Sequence, residues 1–150
     1  MTQDERFMKE ALAEAERAFA MGEVPVGAVV VKNGNVIARG CNRRETDRVA
    51  TAHAELLAME EACRKLNTWR LSDCTLYVTL EPCPMCAGTA INARLGRVVY
   101  GAKDAKAGAM GSVFSVNAYP LNHKVDTTVG VLEQECREIL QRFFEEKRRK

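Results

Sequence analysis

Two short motifs constrain this chain more than any other feature of its sequence. Residues 53–55 read His-Ala-Glu, and residues 83–86 read Cys-Pro-Met-Cys, with C-x-x-C spacing. One histidine and two cysteines are ligands that Zn²⁺ binds well, and three protein ligands leave a fourth tetrahedral position open, as in catalytic zinc sites. A carboxylate two residues after the histidine can reach a water on the metal without binding the metal. We therefore predict a zinc hydrolase with one Zn²⁺ per chain. The predicted ligands are His53, Cys83 and Cys86, and the predicted proton carrier is Glu55.

Two other interpretations of the C-x-x-C motif stay open at this point. Redox enzymes also use this spacing, although a redox pair leaves the His-Ala-Glu motif unexplained. A structural zinc site needs a fourth Cys or His, and His123, which is the only other histidine, lies far along the chain. The other cysteines include no close pair, and we interpret them as small buried apolar residues. They are Cys41, Cys63, Cys74 and Cys136.

Length and charge narrow the class of protein. A chain of 150 residues predicts one domain spanning residues 1–150. Its net charge of +2 does not by itself announce a nucleic-acid partner. The acidic, polar N-terminus does not resemble a signal peptide, and no apolar run approaches the length of a membrane span. We expect a cytoplasmic protein with free thiols and no membrane partner.

Apolar periodicity predicts helices alternating with strands, which is typical of a layered α/β domain. A capping box of Thr2 and Glu5 begins the first helix, and Asn33-Gly34 turns a β-hairpin. Thr51 is predicted to cap a helix over residues 52–65, with a polar loop over residues 45–50 before it. Further elements are predicted as a strand over 75–80, a helix over 84–94, a strand over 97–101, a loop over 104–112, a short helix over 113–118, a strand over 125–132 and a helix from 133.

The predicted helices put the candidate ligands at helix N-termini. His53 and Glu55 lie in the first turn of the helix over 52–65, and Cys83 and Cys86 lie at the start of the helix over 84–94. At that end the helix dipole lowers the pKa of a thiol, so we expect both sulfurs as thiolates.

The combination of His-Ala-Glu with Pro-Cys-x-x-Cys resembles the signature of the zinc-dependent cytidine and adenosine deaminase superfamily. Within it, the chain resembles the bacterial tRNA-specific adenosine deaminases over nearly its whole length. The strings that carry this resemblance include residues 23–29, 51–55, 75–83, 85–88, 96–102 and 104–108. Two positions depart from the family pattern, namely Cys41, where an aromatic residue is common, and Ala50, where a proline is common.

The resemblance implies a three-layer α/β/α fold around a mixed five-stranded sheet. It implies deamination of the wobble adenosine, position 34 of the anticodon, to inosine in tRNA(Arg) with anticodon ACG. It also implies a homodimer whose active site borrows residues from the partner subunit. Asn42 matches the asparagine that hydrogen-bonds the target purine, Glu55 matches the proton shuttle, and His53, Cys83 and Cys86 match the zinc ligands.

A base in an RNA loop is splayed out, and its neighbours are held by stacking and phosphate contacts. The residues that we predict to contact the anticodon loop are Arg43, Arg44, Lys106, Phe144 and Arg148. An apolar helix stripe also explains the aromatic residue, and a solvated helix end also explains the last arginine. Two other functions stay open: a deaminase of free guanine, cytidine or deoxycytidylate, and a non-catalytic, zinc-stabilised RNA-binding module.

Overall fold

A mixed sheet of five strands forms the centre of the computed structural model, which describes residues 1–149; Lys150, at the end of the basic C-terminal run, lies outside the described residues. The elements in chain order are α1 (Gln3–Ala20), β1 (Gly27–Lys32), β2 (Asn35–Cys41), α2 (Arg44–Asp47), α3 (Ala54–Leu66), β3 (Cys74–Leu80), α4 (Pro84–Asn92), β4 (Arg97–Ala102), a 3₁₀ turn (Val116–Ala118), β5 (Asp126–Val129) and α5 (Glu133–Arg148). The strand order is β2-β1-β3-β4-β5. β1 runs antiparallel to β2 and β3, whereas β3, β4 and β5 are parallel.

Helices cover both faces of the sheet, because successive side chains of a strand point to opposite faces. In β1, Val29 and Val31 pack with α1 and α5, while Ala28 and Val30 pack with α3 and α4. The predicted three-layer α/β/α fold with a mixed five-stranded sheet is therefore confirmed. Within residues 1–149, no helix combines the length and the apolar character that crossing a membrane requires.

Local signals in the first 41 residues lead to the predicted elements. The Thr2 hydroxyl accepts a hydrogen bond from the Glu5 backbone N–H, and the Glu5 carboxylate accepts one from the Thr2 backbone N–H, which completes the capping box. Asn33 and Gly34 both have positive φ, at 52° and 77°, as a tight hairpin turn requires. The hairpin pairs β1 with β2 as expected.

The segment before α3 differs from its prediction. The helix begins at Ala54, and its N-cap is His53 rather than Thr51. The backbone of His53 is extended, at φ −81° and ψ 150°, and its carbonyl accepts the first helical hydrogen bond, from Leu57. The predicted polar loop over residues 45–50 contains the one-turn helix α2, which the sequence pattern did not indicate.

The second half of the chain has shorter elements than predicted. The helix expected over 113–118 is limited to the 3₁₀ turn, and the strand expected over 125–132 is limited to β5. The helix expected over 84–94 ends at Asn92. Side-chain hydrogen bonds replace regular structure in part of this region, since the Asn117 amide donates to the Val125 carbonyl and accepts from the Val125 N–H.

Helix α3 lies very close to β2 at Gly40. A Cβ atom built on Gly40 would be 2.3 Å from the Ala54 carbonyl oxygen and 2.9 Å from the Ala58 nitrogen. Only glycine lets the two backbones approach this closely. The contact fixes the first turn of α3 on the sheet, and that turn carries two of the predicted site residues.

Candidate metal centre and active site

The N-termini of two helices bring the three predicted ligands together. His53 is the N-cap of α3, Cys83 is the N-cap of α4, and Cys86 lies in the first turn of α4. The His53 Nδ1 atom is 3.6 Å from the Cys83 Sγ atom and 3.7 Å from the Cys86 Sγ atom. All three ligand atoms lie within 4.8 Å of one another. Within residues 1–149, this is the group of three or more His, Cys, Asp or Glu side chains with the spacing for a metal ion.

The geometry of this group fits Zn²⁺. Bonds of about 2.05 Å to nitrogen and about 2.3 Å to sulfur, at a tetrahedral angle, separate the two ligand atoms by roughly 3.6 Å. The observed nitrogen–sulfur separations match this value. One imidazole and two thiols are also donors that bind zinc, whereas calcium and magnesium bind oxygen ligands. The residues therefore fit a three-ligand zinc site in which His53 uses Nδ1, a choice of atom that spacing in sequence could not indicate.

The contact between the two thiols shifts their pKa values in opposite directions. A hydrogen bond from Cys86, together with one from His53, lowers the pKa of Cys83 to about 3 despite the opposing effect of burial. The same Cys83–Cys86 contact, together with burial and the nearby Glu55 carboxylate, raises the pKa of Cys86. One thiol therefore donates to the other in the metal-free site. A coordinated cation deprotonates a thiol outright, so both sulfurs would serve as thiolates in a zinc-loaded site.

Glu55 lies in the first turn of α3, directly beside the ligand group, and is 4% exposed. Burial raises the pKa of Glu55 to about 7, although its own backbone N–H and the His53 side chain act in the opposite direction. A carboxyl group that titrates near neutral pH can both accept and release a proton. The position and burial of Glu55 suit the proton-carrying role that the sequence predicted.

A pocket of about 230 Å³ opens over these residues. Its lining joins residues from five segments of the chain: Val24, Val26, Asn42, Arg44, His53, Ala54, Glu55, Leu80, Glu81, Cys83, Asp104 and Ala107. The Asn42 amide donates to the Val24 carbonyl at 3.1 Å and accepts from the Arg44 N–H at 3.2 Å. One N–H and one lone pair of this amide stay available. Asn42 is therefore held in place with hydrogen-bonding capacity left for a base edge.

The residues predicted to contact RNA divide into two groups. Arg44 lines the pocket, Arg43 lies next to it with its guanidinium 3.0 Å from Asp47, and Lys106 is exposed on the loop whose residues 104 and 107 line the pocket. Phe144 and Arg148 do not line the pocket. They share a separate depression on the outer side of α5.

A chain of contacts connects α5 with the arginines near the pocket. The Phe143 ring packs edge-on against Phe19 near the end of α1, with ring centroids 5.6 Å apart. Phe143, buried in this contact, fills the apolar stripe, whereas its neighbour Phe144 is 43% exposed. Met21, the C-cap of α1, places its sulfur 3.8 Å from an Arg43 guanidinium nitrogen. The end of α5 is therefore connected to the 43–47 segment through the end of α1.

Other candidate ligands lie apart from the metal centre. The His123 Nε2 atom is 2.7 Å from the Leu95 carbonyl oxygen, and His123 is not part of the ligand group. Cys41, Cys74 and Cys136 are buried apolar residues, as expected, whereas Cys63 is half-buried. These positions leave a three-ligand site rather than a four-ligand structural one among the described residues.

Sequence reasoning missed two buried carboxylates beside the pocket. Glu23 and Glu81 are each 2% exposed, and both accept hydrogen bonds from backbone N–H groups of other segments. Each interrupts an apolar stretch, which is the signal that could have identified them. A glutamate is rarely fully buried without partners.

The chain matches a family model along almost its entire length. Residues 2–148 match the model described as MafB19-like deaminase. A tRNA-specific adenosine deaminase of Bacillus subtilis (strain 168) is 52% identical to it over 151 residues, which cover 100% of this chain and 94% of the relative.

Solved structures include two kinds of similar protein. One chain, from a study of A-to-I editing by tRNA:A34 deaminases at the wobble position of transfer RNA, has a TM-score of 0.87 and 45% identity, covering 89% of this chain and 98% of that chain. A guanine deaminase from Nitrosomonas europaea has a TM-score of 0.78 and 29% identity, covering 93% of this chain and 83% of that chain.

Proposed function

Since this chain belongs to the MafB19-like deaminase family and is a homologue of bacterial tRNA-specific adenosine deaminases, we propose that it hydrolytically deaminates adenosine to inosine at wobble position 34 of a tRNA. One observation carries this proposal. The pocket combines the His53, Cys83 and Cys86 ligand group with a buried carboxyl group, Glu55, and a fixed amide, Asn42.

The reaction replaces the exocyclic amino group of adenine with oxygen and releases ammonia. When bound by the three ligands, one Zn²⁺ per subunit supplies Lewis acidity that makes a water acidic enough to lose a proton near neutral pH. Glu55 accepts one proton from the attacking water and delivers it to the purine ring nitrogen. It then accepts the second proton, from the hydroxyl group formed at the reacting carbon, and delivers it to the amine, which leaves as ammonia. Asn42 holds the edge of the base through its free N–H and lone pair, so that the reacting carbon faces the site.

We propose the anticodon loop of tRNA(Arg) with anticodon ACG as the substrate, in keeping with the family resemblance. Arg44 at the pocket and Lys106 on the neighbouring loop are suited to bind the phosphates on either side of the target base. Arg43, and the more distant Phe144 and Arg148, extend this surface along α5 for the remaining nucleotides. Because tRNA carries the substrate, the proposed location is the cytoplasm.

The direct test is to incubate the zinc-loaded protein with an anticodon stem-loop of tRNA(Arg) and to measure inosine at position 34. Glu55→Gln should retain one zinc per chain and RNA binding, and should lower kcat by roughly 10²–10⁴-fold. Glu60→Gln is the matched control, because Glu60 is exposed on the same helix. Absence of inosine from the wild type, or full activity of Glu55→Gln, would contradict the proposal.

A second candidate is deamination of a free purine, which the similarity to a guanine deaminase supports. The same assay separates the two candidates, because release of ammonia from guanine without reaction of the stem-loop would favour the free base. A non-catalytic RNA-binding module would bind the stem-loop but release no ammonia from either substrate. Such a module has no need for a buried carboxyl group at Glu55.

We also propose that the protein is a homodimer. Large apolar side chains are exposed in the segment that follows the loop over residues 104–112, namely Val113, Phe114, Tyr119 and Leu121. The Phe114 and Tyr119 rings lie 6.4 Å apart. Such a patch is typical of a protein interface. Sedimentation velocity should give a dimer mass for the wild type and a monomer for Phe114→Lys; a monomeric wild type would contradict this proposal.

A further inference from the structure

Glu23 and Glu81 each hold one of the two segments that border the pocket. The first is α2, residues 44–47, and the second is the pocket loop, which we define as residues 104–112. Each segment contributes residues to the pocket lining, Arg44 from α2 and Asp104 with Ala107 from the pocket loop. Neither belongs to a strand of the sheet.

The Glu81 carboxylate is the shared acceptor for the pocket loop. One oxygen, Oε1, accepts from the Asp104 N–H at 3.1 Å and from the Ser112 hydroxyl, and Oε2 accepts from the N–H groups of Met110 at 3.0 Å and Ser112 at 3.1 Å. Three N–H groups and a hydroxyl thus converge on one side chain. The loop folds tightly over it, since a Cβ atom at Gly108 would lie 2.4–2.5 Å from the carboxylate.

The Glu23 carboxylate has the same relation to α2. Its Oε1 accepts from the Glu45 N–H at 3.2 Å, and its Oε2 accepts from the N–H and the hydroxyl of Thr46, both at 2.6 Å. Asn42 lies immediately before this turn, and its side-chain oxygen accepts from the Arg44 N–H. This hydrogen bond links the Asn42 side chain to the turn that Glu23 holds.

Both carboxylates lie next to regular elements of the fold. Glu81 directly follows β3 and lies two residues before Cys83, while Glu23 lies between α1 and β1. An ionised carboxylate forms stronger hydrogen bonds to N–H groups than a neutral amide does, and it has no donor to clash with them. An amide in its place would turn an NH₂ group toward at least one of the converging N–H groups.

We propose that Glu23 and Glu81 are positioning residues for the RNA, which set the two bordering segments at the distance that the anticodon loop requires. This inference rests on the proposed function. The segments contact the RNA around the target base rather than the reacting atoms, so their displacement weakens substrate binding more than the chemical step.

The experiment uses Glu81→Gln and Glu23→Gln, with Glu14→Gln as the matched control. Glu14 is a similarly buried carboxylate, 4% exposed, but its partners are arginines, with Arg17 at 2.8 Å and Arg39 at 3.5 Å. Kinetics on the stem-loop are measured well below the unfolding temperature, with the zinc content of each variant determined in parallel.

The expected result is a 10- to 100-fold loss of kcat/KM in Glu81→Gln and Glu23→Gln, most of it as a rise in KM, with one zinc per chain. Glu14→Gln should keep the wild-type KM. Gly108→Ala disturbs the Glu81 contact from the loop side, so it should reproduce the effect of Glu81→Gln. The double variant of Glu81→Gln with Gly108→Ala should lose little more kcat/KM than either single variant. A wild-type KM in Glu81→Gln and Glu23→Gln would overturn the inference. Loss of zinc in parallel with kcat would also overturn it, because Glu81 would then support Cys83 instead.

Hydrogen–deuterium exchange provides a readout that is independent of turnover. Glu81→Gln should raise exchange at least tenfold in peptides covering 104–112 and leave 44–47 unchanged, and Glu23→Gln should do the reverse. Unchanged exchange in both variants would show that the carboxylates do not hold the two segments. A wild type that produces no inosine would refute the proposed function. A wild type that produces inosine, with a wild-type KM in Glu81→Gln and Glu23→Gln, would refute only this inference.

Discussion

Gly40→Ala should lower the rate of inosine formation, although Gly40 does not line the pocket. An added Cβ atom would lie 2.3 Å from the Ala54 carbonyl oxygen, whereas an ordinary contact is 3.4–4 Å. The N-terminus of α3 must therefore retreat from β2 by about 1 Å. Ala54 lies between His53 and Glu55, so the same movement displaces a proposed metal ligand and the proposed proton carrier. A misplacement of about 1 Å can cost roughly 10²-fold in rate.

The stability loss in Gly40→Ala should be moderate. Overpacking a tight contact costs about 1–3 kcal/mol, and about 1 kcal/mol lowers the Tm of a domain of this size by roughly 2–4 °C. We therefore expect a Tm lower by several degrees, measured by thermal unfolding. Inosine formation, measured well below that Tm and normalised to folded protein, should fall by a factor much larger than the unfolded fraction explains.

Gly88→Ala is the matched control for this substitution. Gly88 lies inside α4, near the other two ligands, and a Cβ atom built there meets nothing within 4 Å. Alanine is the better helix former by about 1 kcal/mol, so this variant should have an equal or higher Tm and wild-type activity. If Gly40→Ala instead kept both wild-type Tm and wild-type activity, the close approach of α3 would not be what positions the site.

Three further predictions follow from other parts of the structure. Asp4 accepts hydrogen bonds from Arg97 and Tyr77, and the Arg97 bond in particular holds the pKa of Asp4 below its ordinary value of 3.8 against the effect of burial. Its contribution is therefore present above pH 3.8 and lost as the pH falls through the lowered pKa, so Asp4→Asn should cost about 1 kcal/mol in urea unfolding at pH 7 and progressively less as the pH falls below 3.8. A pH-independent difference would contradict this assignment. The affinity for the stem-loop should fall as the salt concentration rises. Arg44→Ala should reduce the slope of log affinity against log salt concentration by about 1. An unchanged slope would mean that Arg44 does not contact a phosphate. Chelation should remove zinc and activity together, and added Zn²⁺ should restore both, whereas activity in zinc-free protein would exclude His53 from a catalytic metal site.

Sequence reasoning succeeded where a few neighbouring residues determine the structure. The capping box at Thr2 and the Asn33-Gly34 turn depend on local hydrogen bonds and backbone preferences, so both could be predicted. The ligand group could also be predicted, because zinc accepts few side-chain types and the motifs supply three of them. The start of α3 could not be predicted to the residue, since Thr51 and His53 both precede a helical pattern and the choice between them depends on where the histidine side chain must point.

The borders of the pocket escaped prediction because they depend on long-range contacts. Helix α2 has no periodic signal of its own and is held by Glu23, about 22 residues earlier in the chain. The loop over 104–112 is held by Glu81, which is 23–31 residues away from its partners. A single sequence contains both carboxylates but does not say which backbone groups they meet.

Two kinds of contact position the pocket, namely backbone packing and hydrogen bonds to buried carboxylates. They suggest why one fold serves both an RNA deaminase and a guanine deaminase among the similar structures. The proposed ligands and Glu55 lie at helix N-termini that pack against the sheet, so changing their geometry means repacking backbone contacts such as the one at Gly40. The segments that border the pocket lie outside the strands of the sheet, and each donates backbone hydrogen bonds to a buried carboxylate, Glu23 or Glu81. We therefore expect that substitutions in these segments, or at Glu23 and Glu81, can change the substrate without moving the three proposed metal ligands. Exchanging residues 104–112 for the corresponding loop of a guanine deaminase, with Glu81 retained, should leave one zinc per chain and alter the ratio of stem-loop to guanine turnover; loss of zinc in that chimera would mean that the loop and the metal centre are not separable.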